Sequence, residues 1–320
     1  MRSAILVLFC AAPLLSPAQE RIPPGASAAL PPLWTDHDSE EAADALVNDL
    51  AAGRWRHPRK GGRLMVRLLP IGNRSTHHLN GSAITTPLRR RLTRLRGIQL
   101  TTQRSGRADL LLAGFIQAQD DAVKGKELNT PTLCLQLVDL RSGELLWART
   151  HAVRRLIEHL PPAKARRPLK VRRLGPDERL DLSGYFNDSD ARAIASAAAR
   201  ALRQSAWLAG QHPVLQVSYV TNRTGERIDA RLVAAYLSES LLALDKVRLL
   251  ADSEFLAPAK KHRLSATHVL DTVITAERAA KKQRYEARVS LHAVGSRAPA
   301  WSFTKAFAKR IKLTRADTDW

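Results

Sequence analysis

The sequence predicts an α+β protein: two tandem copies of a small mixed-sheet domain, with the helices packed on one face of each sheet. The main reason is an internal repeat, because an apolar run, a short Asn-Arg-hydroxyl turn and a helix recur 149 residues later. In both helices the apolar residues follow steps of four, four and three, which place them on one stripe. Each half also ends in an apolar β-hairpin with a tryptophan at the matching place, Trp147 and Trp301.

The repeat aligns the two halves position by position. The matched apolar residues of the two helices are Ile84 with Val233, Leu88 with Leu237, Leu92 with Leu241 and Leu95 with Leu244. The hairpins match at an offset of 154, and Trp55 matches Trp207 at an offset of 152. Small changes of offset are typical of loops that differ in length between copies of one domain. We therefore expect the two copies to superpose and to keep separate sheets.

The elements of the first copy follow in order from the apolar pattern. A helix is predicted over 38–52, and a strand-like run over 64–69 follows it. Asn80 can cap the next helix, in which Pro87 predicts a late start or a bend. Gly143 supplies the turn of the closing hairpin. The remaining strands are predicted over 98–102, 109–117, 132–140 and 144–152.

The second copy repeats this order. An alanine-rich helix is predicted over 188–203, Asp229 can cap the next helix, and a hairpin ends the copy. The two domains are therefore predicted over 38–156 and 188–313. The segment between them, 157–187, is basic and contains four prolines, which predicts a linker.

The amino-terminal residues are predicted to direct export. Residues 1–18 combine Arg2, an apolar stretch and small residues before a cleavage point after Ala18, as a secretory signal does. The stretch is shorter than the roughly 20 residues that span a bilayer. Cys10 lies inside the stretch, a position that does not suit lipid attachment, and Cys134 is then the single cysteine of the mature chain. With a Pro-rich linker over 19–37, we expect a secreted protein that is periplasmic or extracellular.

Positive charge is concentrated in the first copy. The net charge is +21, and residues 54–108 contain fourteen Lys or Arg and no Asp or Glu. Such a surplus favours polyanions, anionic membrane faces or acidic protein surfaces. The alternative is that these arginines only solvate a surface.

One helix carries the clearest part of this surplus. Its candidate partner-binding residues are Arg89, Arg90, Arg91, Arg94 and Arg96. The aligned positions of the second copy are Ser238, Glu239, Ser240, Ala243 and Asp245. Because both helices have the same apolar stripe, we expect that core packing does not cause this difference and that the first copy makes an electrostatic contact.

The repeated turn is a second candidate site, although its residue types suit a structural role. Asn can close an Asx turn at the end of a strand, and Ser or Thr can bind the loop backbone. The residues are Asn73, Arg74, Ser75, Asn222, Arg223 and Thr224.

No group of residues predicts an enzyme. The histidines are scattered, and the adjacent pair His77 and His78 lacks the spacing of a metal site. The sequence has neither a Gly-rich phosphate loop nor a Gly-x-Ser-x-Gly elbow. We therefore predict no catalytic residue, no metal and no cofactor.

The order of these elements resembles a known family. An Ala-Leu-rich helix ending in Trp, a strand into "IGNRS" or "VTNRT", a "DLLLAGFI" strand and a "LQLVDLRSGELLW" hairpin are similar to the LpoB-type penicillin-binding protein activators. Their domain belongs to a wider group with the TolB amino-terminal domain and the CsgG secretion lipoprotein. The resemblance covers about 42–155 and 193–311.

The resemblance implies a non-enzymatic extracytoplasmic regulator. Such a protein binds a bifunctional peptidoglycan synthase and stimulates its glycan polymerisation and cross-linking. The alternative reading from charge alone is an envelope or extracellular module that binds an anionic polymer through the Arg-rich first domain.

Overall fold

A computed structural model describes residues 34–52, 63–75, 79, 81–101, 108–123, 126–159, 169–175, 178, 180, 182–252, 264–279 and 281–311. The predicted signal peptide, most of the first linker, the Asn80 cap and the pair His77 and His78 lie outside the described residues. The helices are α1 (Asp36–Ala51), α2 (Gly81–Leu92), α3 (Asp188–Gln204), α4 (Ala206–Ala209) and α5 (Ala230–Leu242). The α+β class is confirmed.

The described parts of the chain also contain thirteen strands. In the first half they are β1 (Leu64–Leu68), β2 (Gly72–Asn73), β3 (Ile98–Thr101), β4 (Leu110–Val123), β5 (Lys126–Asp139) and β6 (Glu144–Ala152). Two more, β7 (Arg155–His159) and β8 (Leu169–Arg173), follow. In the second half they are β9 (Val214–Arg223), β10 (Arg248–Leu250), β11 (His268–Ala279), β12 (Lys282–Ala293) and β13 (Pro299–Arg310).

Polar side chains fix where the long helices begin. Thr35 caps α1 and forms a capping box with Asp38, and Asn187 forms the same box with Asp190 at the start of α3. Asp229 accepts hydrogen bonds from two backbone N–H groups at the start of α5. Each cap satisfies backbone donors that a helix start otherwise leaves without partners.

All the strands belong to one sheet, so the prediction of separate sheets is wrong. The main order is β13-β12-β11-β9-β10-β6-β5-β4-β1-β3, and β10 pairs antiparallel with β6. We call β10, β9, β11, β12 and β13 the second-half sheet, and β3, β1, β4, β5 and β6 the first-half sheet. Each has the same internal order and the same strand directions. The sheets merge because β6 has an unpaired edge that β10 can extend.

The segment predicted as a linker contains a β-hairpin. Strand β7 pairs with β5, and β8 pairs with β7, so the sheet continues into this segment. Arg155 of β7 also donates a hydrogen bond to Asp38 at the start of α1. Leu128, Leu156 and Leu182 belong to a small apolar cluster beneath the hairpin.

The helices of each half pack on one face of their own sheet, as predicted, and the helices of the second half also cover the other face of the first-half sheet. Leu110, Leu112 and Leu135 belong to the apolar core that α1 and α2 share. Leu111 and Cys134, which point to the opposite face, belong to the core that α3 and α5 share with the second-half sheet. The elements therefore form four successive layers. Helices α1 and α2 form the first, the first-half sheet the second, helices α3 and α5 the third and the second-half sheet the fourth. Strands that are buried on both faces are apolar without alternation, as β4 is at its start.

The outer face of the second-half sheet is not covered by a helix of the described residues. The matched positions differ accordingly: Ala113, Cys134 and Ala148 are buried in the first half, whereas Asp271, Arg288 and Ser302 replace them in the second. Strand β12 alternates buried and exposed residues over most of its length. A sheet with one face in water is expected to alternate in this way.

Candidate partner-binding surfaces

Two of the five candidate arginines bind the neighbouring helix. Arg90 donates to Glu40 of α1 at 2.6 and 2.5 Å. Arg91 donates to Glu40 at 2.6 Å and makes two further hydrogen bonds to Asp44. The Arg91 side chain is 16% exposed, so it is held between α1 and α2. These ion pairs join the two helices of the outer layer.

The ion pairs also fix the charges of their partners. Partial desolvation raises the pKa of Glu40, but hydrogen bonds from Arg90 and Arg91 outweigh it and hold that pKa below its ordinary value. The hydrogen bond from Arg91 lowers the pKa of Asp44. Both carboxylates are therefore ionised at neutral pH and oppose part of the positive charge of α2.

The other candidates, Arg89, Arg94 and Arg96, lie exposed at the carboxyl end of α2. Arg63 is close to them, because the Leu64 N–H donates to the Gly97 carbonyl at 2.8 Å. Among the described residues, no carboxylate forms an ion pair with any of the four. We call Arg63, Arg89, Arg94 and Arg96 the arginine corner. It combines four positive charges, and an acidic surface would complement it.

Packing explains part of the difference between α2 and the aligned helix α5, which corrects the expectation for Ser238 and Glu239. Ala243 and Asp245, which align with Arg94 and Arg96, are exposed, so packing does not cause the difference at those two positions. Helix α5 lies between the two sheets, whereas α2 has one face toward solvent. Ser238 of α5 is 7% exposed. Glu239 accepts from the Thr150 N–H at 3.0 Å and from the Thr150 hydroxyl at 2.7 Å. An arginine at either position would meet the buried face of the first-half sheet.

The two repeated turns have the same hydrogen bonds. Asn73 Oδ1 accepts from the Ser75 N–H at 3.0 Å and from its hydroxyl at 2.7 Å. Asn222 Oδ1 accepts from the Thr224 N–H at 2.9 Å and from its hydroxyl at 2.6 Å. In both turns the asparagine Nδ2 donates to a backbone carbonyl further along, of Leu79 or Glu226. This Asx geometry ends each strand and directs the loop toward the next helix.

The first turn borders a groove between the halves. Arg74 lies over the Phe115 ring at 4.9 Å and lines a cavity of about 460 Å³. The opposite wall comes from β9 and α5, and includes Arg231 and Ser238. Arg223, the counterpart of Arg74, is exposed on the second turn. The structure thus brings one candidate turn to the seam between the halves and leaves the other at the surface.

The one cysteine among the described residues is enclosed in the core. Cys134 is buried, and burial raises the pKa of its thiol well above the ordinary value. Within the described residues, no three His, Cys, Asp or Glu side chains come together as a metal site. No described helix is long and apolar enough to cross a bilayer.

Sequence reasoning missed the residues that join the halves. Arg149 of β6 donates to Asp49 of α1 at 2.7 and 3.1 Å and to Glu239 of α5 at 3.1 Å. Trp147 donates through its indole N–H to the same Asp49 at 2.7 Å. The run of apolar residues at the start of β4 was the available signal, because a strand buried on both faces needs a second helical layer.

One part of the second half is similar to a known family. Residues 190–295, from α3 to the turn after β12, match the family described as "Peptidoglycan-synthase activator LpoB". The match spans about a third of the chain. An activator family is consistent with the prediction of a non-enzymatic regulator. No curated protein matches the chain.

Several solved structures are similar to parts of the chain. The LpoB C-terminal domain from Salmonella enterica is 17% identical, with 38% of this chain and 98% of that chain covered and a TM-score of 0.27. The LpoB C-terminal domain from Escherichia coli is 18% identical, with 37% and 98% covered and a TM-score of 0.28. Lipoprotein GNA1162 from Neisseria meningitidis is 14% identical, with 28% and 82% covered and a TM-score of 0.24.

Proposed function

We propose that the protein is a non-enzymatic regulator of peptidoglycan synthesis that binds a bifunctional penicillin-binding protein in the cell envelope. The observation that carries the proposal is the match of residues 190–295 to the peptidoglycan-synthase activator family. The protein acts by binding, and it needs no cofactor. It is exported by the signal peptide at 1–18 and works as a secreted, periplasmic or extracellular protein.

The two halves are tandem copies of this domain in our proposal, although the family match itself lies in the second half. Four structural likenesses support the repeat. The strand order is the same in both halves, and each long first helix begins with a capping box. The Asx turns share their hydrogen bonds, and the last strand pair of each half has a bulge at the matching position, Leu137/Val138 and Leu291/His292. The wider grouping with TolB and CsgG remains a prediction.

The copies divide their tasks, with the first making the electrostatic contact and the second providing structure or protein binding. The arginine corner supports this division, because its side chains are exposed and none forms an ion pair with a carboxylate of the described residues. Arg94 lies near enough to Asp44 to help lower the pKa of that carboxyl. Arg90 and Arg91 belong to the α1–α2 ion pairs. They act indirectly by holding the helix that presents Arg89, Arg94 and Arg96.

A second candidate function uses the same corner. An anionic polymer of the envelope or extracellular space would bind four clustered guanidinium groups through its phosphates or carboxylates. Salt dependence distinguishes the two functions. A polymer that releases counterions loses affinity steeply with added salt, whereas a synthase that also buries apolar surface tolerates salt better.

The test compares two triple variants of equal charge change. One replaces Arg89, Arg94 and Arg96 by Ser, and the matched control replaces the exposed Arg200, Arg278 and Arg297 by Ser. We expect only the first to weaken binding to a purified bifunctional synthase. Equal binding of both variants would remove the arginine corner from the proposal. Failure of the wild-type protein to bind any synthase of its own envelope would overturn the proposed function.

A further inference from the structure

The edge of β6 shows how this fold receives another segment. Its first residues pair with β10, with Leu145 opposite Leu249 and the Ala251 N–H donating to the Gly143 carbonyl at 3.1 Å. Further along, the edge N–H of Thr150 is satisfied by the Glu239 carboxylate at 3.0 Å, which also accepts from the Thr150 hydroxyl. A strand and a carboxylate therefore satisfy two parts of this edge.

Strand β13 is the counterpart of β6 and has the same kind of edge. It pairs with β12 on one side, and no described strand pairs with the other. The Ile311 N–H donates to the Lys281 carbonyl at 2.8 Å, so odd-numbered residues of the regular part of β13 direct their backbone groups toward β12. The backbone N–H and C=O groups of successive residues point to opposite sides of a strand. Those of Ser302, Thr304, Ala306 and Ala308 therefore point toward the open side.

The match between Thr150 and Thr304 is specific. The two threonines are 154 residues apart, which is the offset between the two hairpins, so they occupy matching positions. Each threonine carries both a backbone N–H at the strand edge and a side-chain hydroxyl. Thr150 binds the Glu239 carboxylate through these two groups. No hydrogen bond to Thr304 occurs among the described residues. Thr304 thus presents the donor pair that the first half uses to bind a carboxylate.

The usual protections of an edge strand are weak along β13. Proteins often guard such edges with inward-pointing charges, prolines or a short strand. The inward lysines, Lys305 and Lys309, are engaged with backbone carbonyls of Ala193 and Tyr185. The open-side residues from Ser302 to Ala308 are small, and the strand is 12 residues long. An extended segment can therefore approach along most of its length.

The surroundings of this edge select the segment that fits. On the outer face of β12 and β13, the charged residues are Lys282, Arg284, Arg288, Arg310 and one acid, Glu286. Lys282, Arg284 and Arg288 form a basic row on β12, one strand in from the edge, and Arg310 extends it onto β13. Carboxylates on the outer side of an added segment would therefore lie in a positive field. On the inner face, Trp301, Phe303 and Phe307 are half-buried and leave apolar surface at the edge.

We propose that the open edge of β13 binds an extended acidic segment of a partner protein by strand addition. The segment alternates apolar and acidic residues, so that its apolar side chains cover Trp301, Phe303 and Phe307 and its carboxylates face the basic row. The Thr304 N–H donates to a backbone carbonyl of the segment, and one carboxylate of the segment accepts from the Thr304 hydroxyl, as Glu239 does from the Thr150 hydroxyl. Main-chain hydrogen bonds give the affinity, and the alternate side chains give the specificity.

The probe is a synthetic octapeptide that alternates Val and Glu, with a Val-Lys peptide as its control. Hydrogen exchange is measured on the full mature chain with and without peptide. The Val-Glu peptide should protect the amides of Ser302, Thr304, Ala306 and Ala308, and the Val-Lys peptide should not. This wild-type measurement needs no variant, and it is independent of whether the protein stimulates a synthase.

Paired variants then locate the contact. Ala306→Pro removes an open-side N–H, while Ala306→Val keeps it, so the first should weaken peptide binding about tenfold or more and the second less than about twofold. Thr304→Val should weaken binding of the Val-Glu peptide several-fold, and the exposed control Thr221→Val should not. Thermal melting shows whether each variant is folded.

Four results would overturn the proposal: no protection of β13 at saturating Val-Glu peptide, equal binding of the Val-Lys peptide, equal affinity of the folded Ala306→Pro and Ala306→Val variants, or protection that rises with protein concentration alone. The last would show that a second copy of the chain pairs with this edge.

Discussion

Arg149 donates to Glu239 at 3.1 Å and thereby ties the last strand of the first half to a helix of the second half. The same guanidinium makes two hydrogen bonds to Asp49 of α1, at 2.7 and 3.1 Å. One side chain therefore contacts the helical layers on both sides of the first-half sheet. It is about a third exposed, so solvent moderates its charge interactions without removing them.

Replacing Arg149 by Met should destabilise the protein by about 1–3 kcal/mol, because it leaves two carboxylates without their charged donor. Urea unfolding measures the free-energy change. The control is Arg288→Met, which removes an exposed arginine with one ion pair at 3.5 Å and should cost less than about 0.5 kcal/mol. Equal effects of both variants would mean that Arg149 does not couple the halves.

Replacing Arg91 by Met should lower the midpoint of thermal unfolding more than replacing Arg94 by Met. Arg91 binds both Glu40 and Asp44 of α1, whereas Arg94 is exposed at the end of α2. The difference should shrink in high salt, since salt screens exposed ion pairs. A larger effect of Arg94→Met would contradict the assignment of Arg91 to the α1–α2 contact.

Replacing Gly114 by Ala should destabilise the protein by about 1–3 kcal/mol through overpacking. A Cβ at this position of β4 would overlap the Cys134 carbonyl oxygen and a methyl group of Leu135. The control is Gly225→Ala, whose added Cβ meets nothing within 4 Å. Calorimetric melting of the two variants measures the difference, and an equally stable Gly114→Ala protein would contradict the close pairing of β4 with β5.

Stability should fall as the pH drops from about 7 to about 5, before the carboxylates titrate. Burial lowers the pKa of His151, against the attraction of Glu41 and Asp38 and with the repulsion of Arg173 and Arg192. The folded state therefore binds this proton more weakly than the unfolded state. The stabilisation that neutral His151 contributes to the folded state is fully present above the ordinary histidine pKa of about 6.5. It is lost as the pH falls from there through the lowered pKa of the folded state.

Urea unfolding at several pH values tests this prediction. His151→Gln should flatten the pH dependence in this range, and His212→Gln, at an exposed position, should leave it unchanged. An unchanged slope in the His151 variant would assign the effect to other groups.

Local elements could be predicted because their signals are local. The helix over 38–52 is observed as Asp36–Ala51, and the hairpin that turns at Gly143 is observed as β5 and β6. Gly143 has a φ of 75°, which glycine adopts readily. Caps, turns and apolar periodicity act over a few residues, so the sequence pattern contains them.

The merging of the two sheets could not be predicted in the same way. It depends on β10, a strand of three residues, and on contacts such as Arg248 with Glu144, which are 104 positions apart. No local pattern specifies which edge a short strand will extend. The paired differences between the copies did contain a signal: Ala113 and Cys134 in one sheet correspond to Asp271 and Arg288 in the other.

The candidate site could be predicted only in part, because some of its features are local in the sequence and others depend on contacts between distant segments. The arginine-rich helix was evident from its sequence, and four of its five candidates lie exposed. The ion pairs of Arg90 and Arg91 depend on the position of α1, about fifty residues earlier in the chain. The repeat supplied the element order, while the distances between elements required the structure.

The rate at which a purified bifunctional synthase consumes a labelled lipid-linked peptidoglycan precursor tests the central claim most directly. The synthase comes from the same envelope, and the mature protein is added in increasing amounts. The account predicts a saturable rise in the initial rate, which is weaker with Arg89, Arg94 and Arg96 replaced by Ser and unchanged with the Arg200, Arg278 and Arg297 control. A rate that stays constant up to saturating wild-type protein would contradict the account.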